Sequence, residues 1–216
     1  MKQIEVPFCT EISKDTDLGK IASFLDKLDF ENIETLSWPQ YIYKPDVRFT
    51  MAHSGDCVFL KFKVLEKYIK ATCHLNNEPV SQDSCVEFFI ALENRDDYYN
   101  FEFNCIGTCK VGFGTQKRLN RTYLPDEVID RIHRQVLIKT EKKDNQGLTF
   151  WELTVAISVD VFSYNNITSL HGLNSMGNFY KCGDNLPEPH YIVWNEVKAQ
   201  NPDFHLPEYF GEIHFL

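Results

Sequence analysis

Positive charge is in short supply in this chain: 22 lysines and arginines stand against 31 aspartates and glutamates, a formal net charge of −9. Proteins hold nucleic-acid backbones by neutralising phosphates, so this balance argues against a nucleic-acid partner. No stretch approaches the roughly 18 consecutive apolar residues of a membrane span, and no membrane partner is expected. The N-terminal MKQIEVPFCTEISKD lacks the apolar run of a secretory signal, which places the expected location in the cytoplasm. The cysteines lack pairing. Seven of them, Cys9, Cys57, Cys73, Cys85, Cys105, Cys109 and Cys182, are scattered without a CxxC pair or a Cys/His cluster at zinc spacing, and read as reduced, buried thiols. Also missing are a G-x-S-x-G elbow, an H-E-x-x-H helix, a complete phosphate loop around Gly112 and Gly114, and an Asp-rich calcium loop of the EF-hand type. There is no internal repeat, low-complexity segment or linker.

What the chain has in quantity is alternation. With 43% hydrophobic and 14% aromatic residues it can fill a core, and its apolar positions recur every second residue. Residues 83 to 108 are the most informative. Side chains alternate across a strand, so Val86, Phe88, Ile90 and Leu92 point one way and Cys85, Glu87 and Phe89 the other. After an acidic turn, Tyr99, Phe101, Phe103 and Cys105 share a face, with Asn100, Glu102 and Asn104 opposite. Paired as an antiparallel hairpin, the two segments put Glu87 beside the Asn100–Glu102–Asn104 row. That surface has the hydrogen-bonding groups suited to a hydroxyl-rich ligand, and equally those of an ordinary solvated sheet face.

Further strands are expected over Val47 to Met51 and Cys57 to Val64, around the turn His53-Ser54-Gly55-Asp56, with Val58, Leu60, Phe62 and Val64 inward and Lys61 and Lys63 in water. Gly112 and Gly114 mark another short strand or bulge. Val136 to Thr140 and Leu148 to Ile157 alternate about a polar turn at Lys142 to Gly147, with Trp151 in the core. Tyr191 to Val197 and Gly211 to Phe215 complete the set. Helical spacing appears at Leu18, Ile21, Leu25 and Leu28, behind a cap at Thr16-Asp17, and in a short helix over Pro125 to Val136. The expected fold is an all-β antiparallel β-sandwich with two or three short helices, one domain over residues 1–216 in which residues 1–37 form an N-terminal extension.

The run Asp83-Ser84-Cys85-Val86-Glu87-Phe88-Phe89, followed by Tyr98-Tyr99-Asn100-Phe101-Glu102-Phe103-Asn104, resembles carbohydrate-binding module family 9-like domains. So does the tail: Asn178 to Asp184, His190 to Trp194, Pro202-Asp203-Phe204-His205 and Phe210-Gly211. The resemblance runs from about Trp38 to the C-terminus. It implies a jelly-roll-like sandwich that binds a mono- or oligosaccharide without catalysis, in polysaccharide or oligosaccharide utilisation, often beside glycoside hydrolases. It implies no cofactor beyond a structural calcium in some members. Sugar-binding members resemble one another in two tryptophans that sandwich a ring, a glutamate, an arginine and amides. The glutamate falls on Glu87 and an amide on Asn201. Val80 or Ser81 stands in place of one tryptophan, Phe204 in place of the other, and Glu102 at the arginine. The resemblance thus gives hydroxyl-binding groups at Glu87, Asn100, Glu102, Asn104 and Asn201, with Phe204 and Trp194 as an apolar platform.

Other readings stay open. Phe204 also reads as a loop anchor, Trp194 and Trp38 as core residues, Asp83 as a turn or strand cap, and His190 and His205 as structural histidines. Asn178, Tyr180, Lys181 and Asp184 read as a polar loop bordering the site. Glu87, Glu102 and Asp83 offer the paired carboxylates of a glycoside hydrolase. Met51 and Met176, with histidines at 53, 171, 190 and 205, are the residue types that ligate haem, without a spacing that pairs them. An accessory domain that kept the sandwich and lost the sugar is the remaining alternative.

Overall fold

Extended segments with period-two alternation stack into two sheets in the computed structural model, which describes residues 1–93, 96–143 and 146–216. In chain order the first elements are β1 (Gln3–Val6), α1 (Leu18–Leu25), β2 (Glu31–Asn32), β3 (Asp46–His53), β4 (Cys57–Glu66), β5 (Cys85–Ala91), β6 (Tyr98–Asn104) and β7 (Cys109–Gly114). Then follow β8 (Thr122–Tyr123), α2 (Asp126–Ile129), β9 (His133–Lys143), β10 (Gln146–Ser158), β11 (Asn174–Cys182), β12 (Tyr191–Val193) and β13 (Gly211–Phe215). One sheet runs β1-β13-β11-β5-β6-β7-β8, with β12 also paired to β11; the other runs β2-β3-β4-β10-β9. All pairings between these strands are antiparallel except β1 with β13. This is an all-β sandwich.

The inward rows predicted for the 83–108 hairpin, Val86-Phe88-Ile90-Leu92 and Tyr99-Phe101-Phe103-Cys105, do lie between the sheets, together with Trp151 and the Val58-Leu60-Phe62-Val64 row. Phe179 of β11 sits at the centre, stacked on Phe49 of the facing sheet at 3.7 Å and on Phe88 at 4.9 Å. A second apolar cluster, including Trp38, Phe89, Tyr180, Phe204 and Phe210, covers the outer face of the first sheet. A third, under α1, covers part of the other outer face. The cap of α1 is as expected: the Asp17 carboxylate accepts from the Gly19 and Lys20 amides.

Several local expectations are corrected. Lys61 does not face water; α1 lies over that face, and Lys61 is 1% exposed, its ammonium 2.7 Å from Asp26 and 3.1 Å from Glu152. The helix expected over Pro125 to Val136 is the single turn α2, because β9 begins at His133 and needs those residues extended. The polar loop expected around Asn178 to Lys181 is strand β11, central in its sheet, and the strand from Tyr191 stops at Val193. The acidic turn of the 83–108 hairpin and the turn at Lys142 to Gly147 fall partly on residues 94, 95, 144 and 145, outside the described residues.

Residues at odd positions of β11 point inward, so Lys181 enters the space between the sheets and must find an anion there. Its ammonium lies 3.0 Å from Glu66 Oε2, and the Trp151 indole donates to Glu66 Oε1 at 2.7 Å. The same ammonium donates to Cys182 O at 2.8 Å and to His190 Nε2 at 2.9 Å. His190 Nδ1–H then donates to Glu188 O at 3.0 Å, which makes the ring neutral with its Nε2 lone pair engaged. Burial, then the Lys181 charge, push its pKa down to about 3.

Two predictions arise from this core. Phe179→Ala removes the ring stacked between the sheets and is expected to lower unfolding free energy by about 3–5 kcal/mol, read as a shifted denaturant midpoint at unchanged slope. The unfolded chain protonates His190 at its ordinary pKa while the folded chain does not. Stability therefore falls as pH drops from about 6.5 toward 3, by up to about 1.4 kcal/mol per pH unit. Denaturation between pH 7 and 4 should show that slope, and His190→Gln should flatten it; an equal slope in the variant would refute the assignment.

Candidate functional site

Antiparallel register places four outward side chains in one transverse row. Tyr180 of β11 opposes Glu87 of β5, Glu87 opposes Glu102 of β6, and Glu102 opposes Lys110 of β7. Directly opposed residues have Cβ atoms only about 4.5–5.5 Å apart, so the two carboxyls adjoin, and they are just 3% and 4% exposed. Lys110 Nζ lies 3.4 Å from Glu102 Oε1, and Asn100 Nδ2 donates to the same oxygen at 2.7 Å. Burial raises the pKa of both acids. Lys110 and Asn100 then draw Glu102 back, while the charge on Glu102 drives Glu87 further up. Glu87 is thus the member of the pair pushed further toward its protonated form. Burial depresses the Lys110 ammonium, but Glu102, Tyr123 and Glu87 together outweigh it and leave that pKa raised.

The row floors a cavity of about 290 Å³ whose walls come from Tyr191 at the start of β12 and from the connecting segments that carry Tyr41, Ser81, Asp184 and residues 202–205. The loops are tied to one another and to the sheet. The Trp38 indole donates to Ala199 O at 3.0 Å, the Tyr180 hydroxyl to Phe204 O at 3.1 Å, and the Asp184 amide to Ser81 O at 2.9 Å. Tyr41 and Tyr191 are both half-buried and meet edge to face at 4.7 Å. They present aromatic surface above charged groups, the combination a sugar ring needs for its apolar faces and its hydroxyls.

Of the residues expected at the site, Glu87, Glu102 and Phe204 come together here. Phe204 is stacked on Tyr180 at 4.2 Å and is 8% exposed, so it anchors the loop and offers the cavity little more than an edge. Asn100 stands behind the row. Besides Glu102 it bonds Arg121, whose guanidinium donates to Asn100 Oδ1 and to the carbonyls of Tyr98, Gly112, Gly114 and Thr115. Asn104 is outside the cavity, fully buried, with Nδ2 donating to Cys73 O and Asp83 and Oδ1 accepting from the Ile106 and Thr108 amides. Asp83 also accepts from Thr72 and Cys73, a structural cap. Asn201 is exposed beside the cavity without lining it. Trp194 lies between the sheets, its indole donating to Glu31 at 3.2 Å, because its position follows an inward row. Trp38 is buried in the covering layer, His190 belongs to the inter-sheet network, and His205 lines the cavity, bonded to the Tyr98 hydroxyl at 2.8 Å.

Lys110, Tyr41 and Tyr191 were not legible as site residues, although one signal existed. Cys109 and Val111 face the core, so alternation alone turns Lys110 and Gly112 toward the row. Met51 lies between the sheets while Met176 packs on the outer face. Among the described residues the cluster able to hold a metal is Cys85, Glu87 and Cys182. Calcium takes oxygen ligands, so the calcium suggested by the resemblance does not fit this thiol-bearing cluster.

A sandwich with a ligand-sized hollow on one outer face, floored by buried acids and walled by tyrosines, is a small-molecule-binding β-sandwich. The model of carbohydrate-binding family 9 matches residues 20–215, and the chain belongs to that family. A crystal structure from Bacteroides uniformis ATCC 8492, described as a candidate carbohydrate-binding protein, is 33% identical over 100% of this chain and 99% of that one, with a TM-score of 0.89. Two structures of a family 9 module from Caldicellulosiruptor kristjanssonii, in complex with glucose and with cellotriose, share the fold at 12% identity. They cover 100% and 99% of this chain and 96% and 93% of theirs, with TM-scores of 0.58 and 0.57. No curated protein matches the chain.

Gly112 supplies a local test of this geometry. A Cβ there would stand 2.7 Å from Asn100 Oδ1, and Asn100 is held by both Arg121 and Glu102. Gly112→Ala is expected to destabilise by about 1–3 kcal/mol and to displace Asn100; a variant of wild-type stability would show that the backing is slack.

Proposed function

We propose that this protein is a non-catalytic carbohydrate-binding protein whose outer-face cavity receives a single sugar ring. The observation that carries the reading is the buried Glu87–Glu102–Lys110 row lying beneath the half-buried rings of Tyr41 and Tyr191. Glu102 would accept hydrogen bonds from sugar hydroxyls, Lys110 would donate, and Glu87, pushed toward its protonated form, can do either. Tyr41 and Tyr191, set edge to face, would offer one ring to stack on the apolar face of the sugar and the other to flank it, the part that the resemblance gives to tryptophans. A cavity of about 290 Å³ is at the small end of small-molecule sites, about 300–1,000 Å³, which favours one ring, free or terminal, over an extended chain. Seven unpaired, buried thiols support a reducing compartment such as the cytoplasm, and an overall negative charge supports a partner other than nucleic acid.

Each neutral hydrogen bond nets only about 1 kcal/mol against water, so affinity is expected on the order of 0.1–1 mM. Titration calorimetry across mono- and oligosaccharides should find a sugar whose heat disappears in Glu87→Ala and whose affinity falls about 10-fold in Glu102→Gln and in Tyr191→Ala. No heat with any sugar, or heat indifferent to all three changes, would sink the reading. Turnover of aryl glycosides lost in Glu102→Gln would replace binding with hydrolysis.

A further inference from the structure

Two thiols meet at the floor of the cavity without any part in holding a sugar. Cys182 of β11 and Cys85 of β5 are directly opposed in register, and both face outward. Glu87, two positions along β5, shares their face. Its Oε1 lies 3.2 Å from Cys182 Sγ and 4.0 Å from Cys85 Sγ, and the three atoms all lie within 4.8 Å of one another. In a tetrahedral zinc site, with bonds of about 2.3 Å to sulfur and 2.0 Å to oxygen, the sulfur–oxygen edge is about 3.5 Å. The two edges here straddle that value, so shifts of about 0.3–0.5 Å would bring both sulfur–oxygen edges to ligating geometry.

We propose that Cys85, Cys182 and Glu87 form a binding site for a thiophilic divalent cation, with zinc as the best-fitting member of that class. The donor set selects it: two soft sulfurs and one carboxylate suit zinc or cadmium and not calcium or magnesium. Neighbouring strands fix all three side chains, so the ligands are held in place without an ordered loop. Cys182 and Glu87 line the cavity while Cys85 lies beneath, so an ion enters from the cavity and its fourth position faces it, open to water or a ligand hydroxyl. On binding, two metal–sulfur bonds and one metal–oxygen bond form and the displaced thiol and carboxyl protons pass to solvent, with no electron transferred. The inference does not depend on sugar binding: it needs only the three donors.

The test is titration of Cd²⁺ and of Co²⁺ into fully reduced, metal-free protein, with Zn²⁺ as competitor. One equivalent should raise the thiolate-to-metal charge-transfer absorption of two sulfurs, with intense tetrahedral ligand-field bands for Co²⁺, and Zn²⁺ should displace both. Cys182→Ser should weaken binding about 100-fold and Glu87→Gln about 10-fold with both sulfurs retained, while Cys73→Ser, a thiol outside the cluster, should change neither. Glu87→Gln keeps both sulfurs and remains informative where a cysteine variant fails to fold. Absence of the band in reduced wild type, or a band that persists in Cys182→Ser or disappears in Cys73→Ser, would overturn the proposal.

Discussion

Glu87 and Glu102 stand opposed on neighbouring strands under a covering layer, and two adjoining buried carboxyls are tolerable only if their charge is shared out or matched. Both devices are present. Lys110 and Asn100 favour the charged form of Glu102, and burial beside Glu102 pushes Glu87 toward its protonated form. Much of the surrounding arrangement serves that division. Gly112 has no side chain because Asn100 occupies the space, and Asn100 is held from behind by Arg121. The price is a polar strip across an otherwise packed sheet face, which makes sense in a site that meets a polar ligand.

The same strip explains why the outer face is covered instead of open. Cys85, Phe89, Tyr98 and Tyr180 flank the row on that face and are too apolar to leave in water. Loops carrying Trp38, Phe204 and Phe210 roof them, held by the Trp38 indole and the Tyr180 hydroxyl. The roof is incomplete over the charged row, where closing it would strand carboxyls without partners. The cavity is therefore the gap a hydrophobic roof leaves above groups it cannot cover, with Tyr41 and Tyr191 at its rim.

Sandwich architecture and the facing of the hairpin were legible because alternation is a local property: Val86 to Leu92 and Tyr99 to Cys105 divide by face wherever the strands end up. Glu87, Glu102 and Phe204 were legible for the same reason, helped by the resemblance. What sequence could not show was long-range burial. Lys61 looks like a water-facing residue until α1 is laid over it, and β11 looks like a loop because its Asn178, Lys181 and Gly177 are polar or small for reasons set by partners elsewhere in the chain, Glu66 for Lys181. Asn104 looks like Asn100, yet one supports the cavity and the other pins Cys73 and Asp83. Trp194 takes the inward side with Ile192, two positions before it.

The central claim is that the buried acid row, under the two tyrosines, is where ligand is recognised. The most direct measurement is a crystal structure of the protein with the sugar that binds it most tightly on a glycan array. The account predicts one ring against Tyr41 and Tyr191, with hydroxyls in hydrogen-bond contact with Glu102 and Lys110. A ring seated instead in the wider hollow of about 570 Å³ lined by Asp96, Lys117 and Glu208, with the acid row untouched, would contradict it.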